Sequence, residues 1–417
     1  MTRAPWDESP NRLRVMLLNW RDTGHPEGGG SELYCENLAA GLAASGHDVT
    51  MLTARYPGSR AEESRDGYRI LRAGGRFTVY VRALLRLLLR TAGPFDVVVD
   101  VQNGTPFFAR IVTRRPVVVL CHHVHRDQWR IVFGGTRIGN IVARLGWLVE
   151  SRIAPRLLSG CRYVTVSQVS KRDLVSLGVR AGDITVVYNG TPRTLPQSAR
   201  AEAPEVVVLG RIVPHKRIEH AIRAVAVLRQ EIPDLRLTVV GQGWWEPEIL
   251  QEVRRCGLRD HVELTGHVDD VHKHALLSRA WVLATPSIME GWGLSVVEAA
   301  SHGTPSVAYG SAGGLAESIV DGHTGLLSAD SEEDFTRQLR RLLLDHELRS
   351  SMGRAAQLHA QMFTHEQTLA AFTSVLVAAC QGSPAERPSV VVIPPPRPSD
   401  DMQTVAIRSD SPARLGA

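Results

Sequence analysis

Lysine is nearly missing from this chain. Lys and Arg together number 48 in 417 residues, yet lysine occurs only at positions 171, 216 and 273. Cysteine is sparse as well. The five cysteines at 35, 121, 161, 256 and 380 show no C-x-x-C spacing, which argues against a disulfide framework or structural zinc and suits a reducing cytoplasm. No apolar run approaches the roughly 20 residues that span a bilayer. The opening segment MTRAPWDESPNRLR lacks the apolar core of a signal peptide, so the expected location is cytoplasmic. There is no zinc-finger spacing, no RNA-recognition signature and no interleaving of basic and aromatic residues, and a nucleic-acid partner is excluded on that ground. No D-x-D triplet occurs, so a common way of holding a divalent cation on a diphosphate is lacking.

The composition is that of an ordinary globular protein, with 43% apolar and 22% charged residues. The length suffices for two full cores. Strand-like runs alternate with helical patterns. They fall at 14–20, 48–53, 96–101, 116–121, 163–166 and 184–188, then again at 205–210, 235–241, 261–265, 280–285 and 306–309. Continuous apolar strands alternating with helices imply parallel sheets covered on both faces. The predicted organisation is a Rossmann-like domain over 13–190, a Pro-rich linker over 191–204 and a second Rossmann-like domain over 205–353. A helical stretch over 354–381 and a disordered Pro-rich tail over 383–417 follow. Charge is uneven. Residues 1–190 hold 26 Lys and Arg against 16 Asp and Glu, while residues 191–417 hold 22 against 27. The first half, at +10, is therefore expected to face something acidic.

Glu290 and Glu298 flank the loop Gly291-Trp292-Gly293-Leu294, between a predicted strand end and the predicted helix Leu294–Ser301. Backbone N–H groups are free at such a helix start, and the helix dipole favours an anion there. Gly291 and Gly293 let a phosphate approach without a Cβ in the way. The two carboxylates suit hydroxyls, since each oxygen accepts up to two hydrogen bonds. Phosphate at the backbone with hydroxyls on each side describes a sugar nucleotide. Gly28-Gly29-Gly30 ends the first strand, and Ser31 is the expected N-cap of the next helix. Gly210-Arg211-Ile-Val-Pro-His-Lys216 follows the first strand of the second domain. Arg211 offers a planar fork for a diphosphate and Lys216 a point charge. Cys121-His122-His123-Val-His125 follows a buried strand. Its three histidines could be structural, could bind metal, or could meet a sugar.

Taken together, these loops resemble retaining GT-B glycosyltransferases of glycosyltransferase family 4, through the E-x7-E of Glu290 and Glu298, the G-R-x-x-x-x-K of Gly210 to Lys216, and the Gly28–Gly30 loop. The resemblance implies two Rossmann-like domains facing across a cleft, with a C-terminal helix crossing back to the first. It implies Glu290 on the donor sugar, Glu298 on the ribose, and Arg211 and Lys216 on the diphosphate. A histidine acts near the sugar; His122 fits best, with His123 the alternative. Gly29, Gly30, Gly291, Trp292, Gly293 and Leu294 would line the donor. Gly266-His-Val268 resembles the loop whose backbone reads the base. No cofactor is implied, because the family generally needs no bound metal. The expected reaction moves a hexose from a nucleoside-diphosphate sugar, GDP-mannose or UDP-glucose, to a hydroxyl acceptor that the sequence does not identify. A sugar-nucleotide 2-epimerase and a non-catalytic binding protein share the fold and stand as alternatives.

Arg82, Arg86 and Arg90 lie four apart with leucines between. Two readings remain: a helix packed on its sheet with an arginine stripe in water, and a helix lying on an anionic membrane.

Overall fold

The structure, a computed structural model, describes residues 12–126, 128–133, 135–191 and 197–382. The expected tail lies outside these residues, as does the stretch 192–196 of the expected linker.

The first part of the chain runs β1 (Arg14–Leu18), α1 (Gly30–Ala44), β2 (Asp48–Thr53), β3 (Glu62–Arg65), β4 (Tyr68–Arg72), α2 (Thr78–Leu88), β5 (Val97–Gln102) and β6 (Val117–Cys121). It continues with α3 (Gln128–Phe133), α4 (Arg137–Leu148), α5 (Ala154–Leu157), β7 (Arg162–Thr165), α6 (Gln168–Ser176) and β8 (Ile184–Val186). These strands form one sheet in the order β3-β4-β2-β1-β5-β6-β7-β8. All its pairings are parallel except β3 with β4. The strands read as unbroken aliphatic runs because both faces are covered. Val79, Ala83 and Leu87 of α2, with Ala154 and Leu158 at α5, close one face. Leu38 and Leu42 of α1 close the other, with Phe372 and Leu376 from the chain's last helix.

The second part runs β9 (Glu205–Leu209), α7 (Ile218–Leu228), β10 (Arg236–Val240), α8 (Glu246–Arg255), β11 (Val262–Gly266), α9 (Asp270–Arg279), β12 (Val282–Thr285) and α10 (Leu294–Ser301). Then come β13 (Ser306–Tyr309), α11 (Leu315–Ser318), β14 (Gly325–Ser328), α12 (Glu332–Leu344), α13 (His346–Ala360) and α14 (His365–Gln381). Its all-parallel sheet has the order β11-β10-β9-β12-β13-β14. In both sheets the strand order reverses beside the first strand, between β1 and β5 and between β9 and β12. Loops diverge at such switch points and leave a crevice at the strands' C-terminal ends. The Gly28–Gly30 loop, the Gly210–Lys216 loop and the Glu290–Gly293 loop all issue from these points.

Three local expectations are corrected. Gly29, not Ser31, is the N-cap of α1, and Glu32 completes the cap by accepting from the Gly29 N–H at 2.8 Å. The helical stretch after residue 354 is two helices, broken at Gln361–Thr364, and α14 alone lies on the first sheet. The β3–β4 hairpin and β14 were not anticipated; β3 is Glu-Glu-Ser-Arg, with no apolar residue to betray it.

The two halves meet through Trp292. Its indole is 3% exposed and packs with Val166, Ala356 and Phe363. Its Nε1–H donates to the Asn189 carbonyl at 3.1 Å, and its ring centroid lies 4.5 Å from Tyr188 and 5.0 Å from Phe363. Glu317 of α11 adds a polar tie, accepting from the Gln168 and Val169 N–H groups at the start of α6. Trp292→Ala should cost about 3–5 kcal/mol. Calorimetry should show a clear drop in melting temperature; an unchanged melt would mean that the ring is no packing element.

Candidate active site

The glycine loop before α1 is held from beneath by a buried carboxylate. Glu32 is fully buried and accepts from Arg21 Nε at 2.9 Å, Ser31 Oγ at 3.0 Å and the Gly29 N–H. Nothing in the sequence pattern singled out Glu32 beyond its place three residues after the cap. Opposite Gly29 stands Arg211. A side chain at position 29 would begin 3.3 Å from the Arg211 Cδ and Nε. Arg211 makes no hydrogen bond or ion pair to another described residue. Burial and the neighbouring Arg21 guanidinium both push its pKa down. Glu32, Glu27 and Glu290 oppose the shift from further off, but no described carboxylate is in ion-pair contact, and such a desolvated cation is poised for an anionic ligand.

Lys216 lies one loop away and donates to Glu290. Ser287 Oγ donates to the same Glu290 oxygen at 2.7 Å. Burial pushes the Glu290 carboxyl up, but Lys216 by charge and hydrogen bond, helped by Ser287, outweighs it, so its pKa falls below the usual range. Glu290 is thus an ionised acceptor. Beyond it Gly293 is the N-cap of α10 at φ +87°, with no side chain capping the helix. Val296 and Val297 already donate to the Gly293 carbonyl, so the Leu294 and Ser295 N–H groups are the ones left to a ligand. At Gly291 the backbones of the two domains come into direct contact. A Cβ there would collide with the His122 carbonyl oxygen, so glycine is required by contact rather than by flexibility.

His122 is buried, with its ring edge-on to Tyr34 at 5.1 Å and its Nε2 without a hydrogen-bond partner among the described residues. Burial lowers its pKa to about 4, with His125 adding to the effect and Glu32 opposing it. It is a neutral imidazole that can meet a hydroxyl but brings no charge. His123 stacks on His125 at 4.2 Å, and burial holds it well below its usual pKa, with His125, His122 and His215 adding to the effect. Among the described residues no group of three or more His, Cys, Asp and Glu is arranged to hold a metal ion.

Glu298 lies apart from Glu290. It lines a cavity of about 240 Å³ with Tyr34, Asn189, Lys273, Leu294 and His365. Lys273 Nζ bridges Glu298 and Asp270, each at 2.8 Å. Burial pushes the Glu298 pKa up, and Lys273 only partly counters it. Lys273 is a site residue that motif reading missed, although its being one of three lysines was a signal. Two expected residues differ from the rest. The Trp292 side chain is committed to the interdomain core, so only its backbone can serve a ligand. Val268 packs against the second core at the end of β11.

Comparison with known proteins agrees with this geometry. The description "Glycosyltransferase Family 4" matches residues 28–195, and "Glycosyl transferases group 1" matches residues 194–359. A D-inositol 3-phosphate glycosyltransferase of Kribbella flavida is 34% identical over 89% of this chain and 98% of its own length. The chain belongs to glycosyltransferase family 4. Two further relatives are less similar in sequence. A glycogen synthase of Mycobacterium tuberculosis is 24% identical over 91% of this chain and 98% of its own. A GDP-mannose-dependent α-(1-6)-phosphatidylinositol monomannoside mannosyltransferase of Mycolicibacterium smegmatis is 26% identical over 80% and 90%. Among solved structures, sucrose-phosphate synthase from Thermosynechococcus elongatus superposes with a TM-score of 0.77 at 21% identity, covering 89% of this chain and 100% of that one. Anabaena HepE in complex with UDP-glucose gives 0.69 at 18%, covering 88% and 100%. These likenesses establish the fold, the GT-B arrangement that the motifs implied.

The buried histidines make this family 4 enzyme acid-sensitive. Burial, the largest cause in each, lowers His122, His215, His274 and His302 to about 4. Between about pH 6.5 and about pH 4 these four imidazoles therefore bind more protons in the unfolded chain than in the folded one, and buried Asp100, raised to about 6, opposes them only in part. Stability should be full above about 6.5 and fall steadily as the pH drops towards 4. Urea midpoints across that range measure it; a flat profile would contradict the neutral, buried imidazoles.

Proposed function

We propose that the protein transfers a hexose, with retention of configuration, from GDP-mannose or UDP-glucose to a hydroxyl acceptor. One arrangement carries the reading: Arg211, without a protein counter-ion, stands beside the Gly29 loop, and the Lys216–Glu290 pair belongs to the loop entering the uncapped start of α10. The diphosphate would lie against Arg211, Lys216 and the α10 N–H groups, whose positive charge offsets what develops as the sugar–phosphate bond breaks. Glu290 would hold sugar hydroxyls, with the neutral His122 ring nearby. The ribose would enter the cavity where Lys273 holds Glu298. Gly291, Gly293, Leu294 and Gly30 form the close backbone walls, and the loop at Val268 lies towards the base.

Glu290, ionised and held at one oxygen by Lys216 and Ser287, is suited to accepting from sugar hydroxyls rather than to attacking the anomeric carbon. Attack from the leaving-group side fits that constraint. The bond from the anomeric carbon to the phosphate oxygen breaks, the acceptor oxygen bonds the same carbon, and the acceptor's proton passes to the departing phosphate. Charge neutralisation rests on Arg211, Lys216 and backbone N–H groups, and metal independence is part of the proposal. In a donor screen scored by released nucleoside diphosphate, product should depend on acceptor, which separates transfer from epimerisation. Lys216→Ala should lower turnover by about 100-fold or more, and normal turnover in a folded variant would refute the assignment. Glu290→Gln should weaken donor use while leaving binding of free nucleoside diphosphate near normal.

We further propose peripheral contact with an anionic membrane. Among the described residues no helix is long and apolar enough to cross one. On α2 the buried residues are Val79, Ala83 and Leu87, while Phe77, Val81, Leu85, Leu88 and Leu89 are exposed alongside Arg82 and Arg90. The outward face is therefore apolar as well as basic, and Arg86 is half-buried between. Neither sequence reading anticipated both properties on one face. Changing all three arginines to Gln should remove roughly 3 kcal/mol, or over 100-fold in partitioning. Sedimentation with phosphatidylglycerol vesicles at low salt tests it; wild-type protein left in the supernatant would rule the contact out.

A further inference from the structure

A second concave feature lies on the first domain, between the joint of α4 with α5 and the C-terminal end of α6. It is a groove of about 840 Å³ whose walls include Arg126, Trp147, Ser151, Arg152, Arg156 and Ser176. Among the described residues no acidic residue lines it. The transfer reaction proposed above makes no use of it.

Its shape follows from one proline. Pro155 has no N–H, and its ring crowds the carbonyl four residues back, that of Ser151. The helix widens there into a π-turn over Val149–Ile153, a form frequent at functional sites. The turn brings Ser151 and Arg152 to the groove. Ser151 is 8% exposed, and its hydroxyl has no hydrogen-bond partner among the described residues. Such a hydroxyl is costly to bury unless something meets it.

The arginines are placed rather than loose. Buried Glu150 accepts from the His125 and Arg126 N–H groups at 2.7 and 2.8 Å, and fixes the loop that carries Arg126. Arg126 Nη2 then donates to Ser176 Oγ at 2.5 Å. Arg156 Nη1 donates to the Arg152 carbonyl at 2.6 Å. None of the three guanidinium groups forms an ion pair with a described residue. Asp173 is the acid that senses Arg126, and burial pushes its carboxyl up. Trp147 and Leu177 give the groove an apolar rim, and Leu148, Ile153 and Leu157 are exposed along the same helical stretch as Trp147.

We propose that this groove binds a phosphate group, with Arg126, Arg152 and Arg156 as the charged donors and the Ser151 hydroxyl within. Guanidinium forks match phosphate oxygens in geometry and charge. The apolar rim favours a phosphate esterified to an aliphatic chain, as in a lipid headgroup, over the free ion. The site is independent of the transfer reading, and its test uses no activity.

The test is calorimetric titration of the full-length protein with inorganic phosphate and, separately, with dibutyryl phosphatidic acid kept monomeric. The Arg152→Gln/Arg156→Gln double variant should lose about 100-fold in affinity, about tenfold per charged contact. An Arg254→Gln/Arg259→Gln variant, matched in charge and exposed on the second domain, should bind as wild type. Tighter binding of the lipid ester than of phosphate identifies a headgroup site; equal binding identifies a site for free phosphate, and both keep the groove as a phosphate site. Absence of binding to wild type, unchanged binding to a normally melting Arg152/Arg156 variant, or equal loss in the Arg254/Arg259 variant would overturn it.

Discussion

The cleft depends on how closely two backbones can approach. Gly291 meets the His122 carbonyl where no side chain fits. That contact sets the donor loop against the histidine loop, and the neighbouring groups follow from it. Trp292, one residue on, is locked into the core that joins the domains. Glu290, one residue back, is pinned by Lys216 and Ser287. Three consecutive residues thus supply an acceptor, a clearance and an anchor. A substitution at any of them would act on the other two through the same short loop.

Charge in this cleft is arranged asymmetrically. Glu290 and Glu298 each have a lysine, at 216 and 273. Among the described residues no carboxylate is in ion-pair contact with Arg211. Burying a cation without its partner costs stability, and such costs are found where a ligand is to be met. The lysine pairs do the opposite work: they keep two buried carboxylates in place as acceptors. The glycine loop before α1 is served by Glu32 in a similar way, through Arg21 and the Gly29 N–H.

The first domain shows a different use of arginine. On α2 and around the α4–α5 joint, arginines stand beside exposed aliphatic residues. Of the exposed large hydrophobic residues, Phe77 to Leu89 and Ile138 to Leu157 make up most. Helices α2 and α5 cover the same face of the sheet, so both patches belong to one layer. An apolar surface of that kind marks an interaction site more often than chance exposure. The positive excess of this half has a structural home there.

The repeated aliphatic runs determined two parallel sheets, because strands covered on both faces can hold little else. The glycines, Arg211, Lys216 and the E-x7-E spacing determined the family, because a phosphate at a helix start needs small residues and nearby cations. Helix α10 could be read residue for residue. The β3–β4 hairpin could not, since its strands bear charges that satisfy one another only once folded: Arg72 with Asp22 and Glu63, and Arg65 with Glu36. Lys273 was hidden for the same reason, as its pairing with Glu298 joins α9 to α10 across 25 positions of sequence. Trp292 belongs by sequence to the donor loop, and only packing against Tyr188 and Phe363 assigned its ring to the interface. Local pattern decides which elements form and which loops can hold an anion; which charges are paired, and which left open, depends on residues that meet only when the two sheets close on each other.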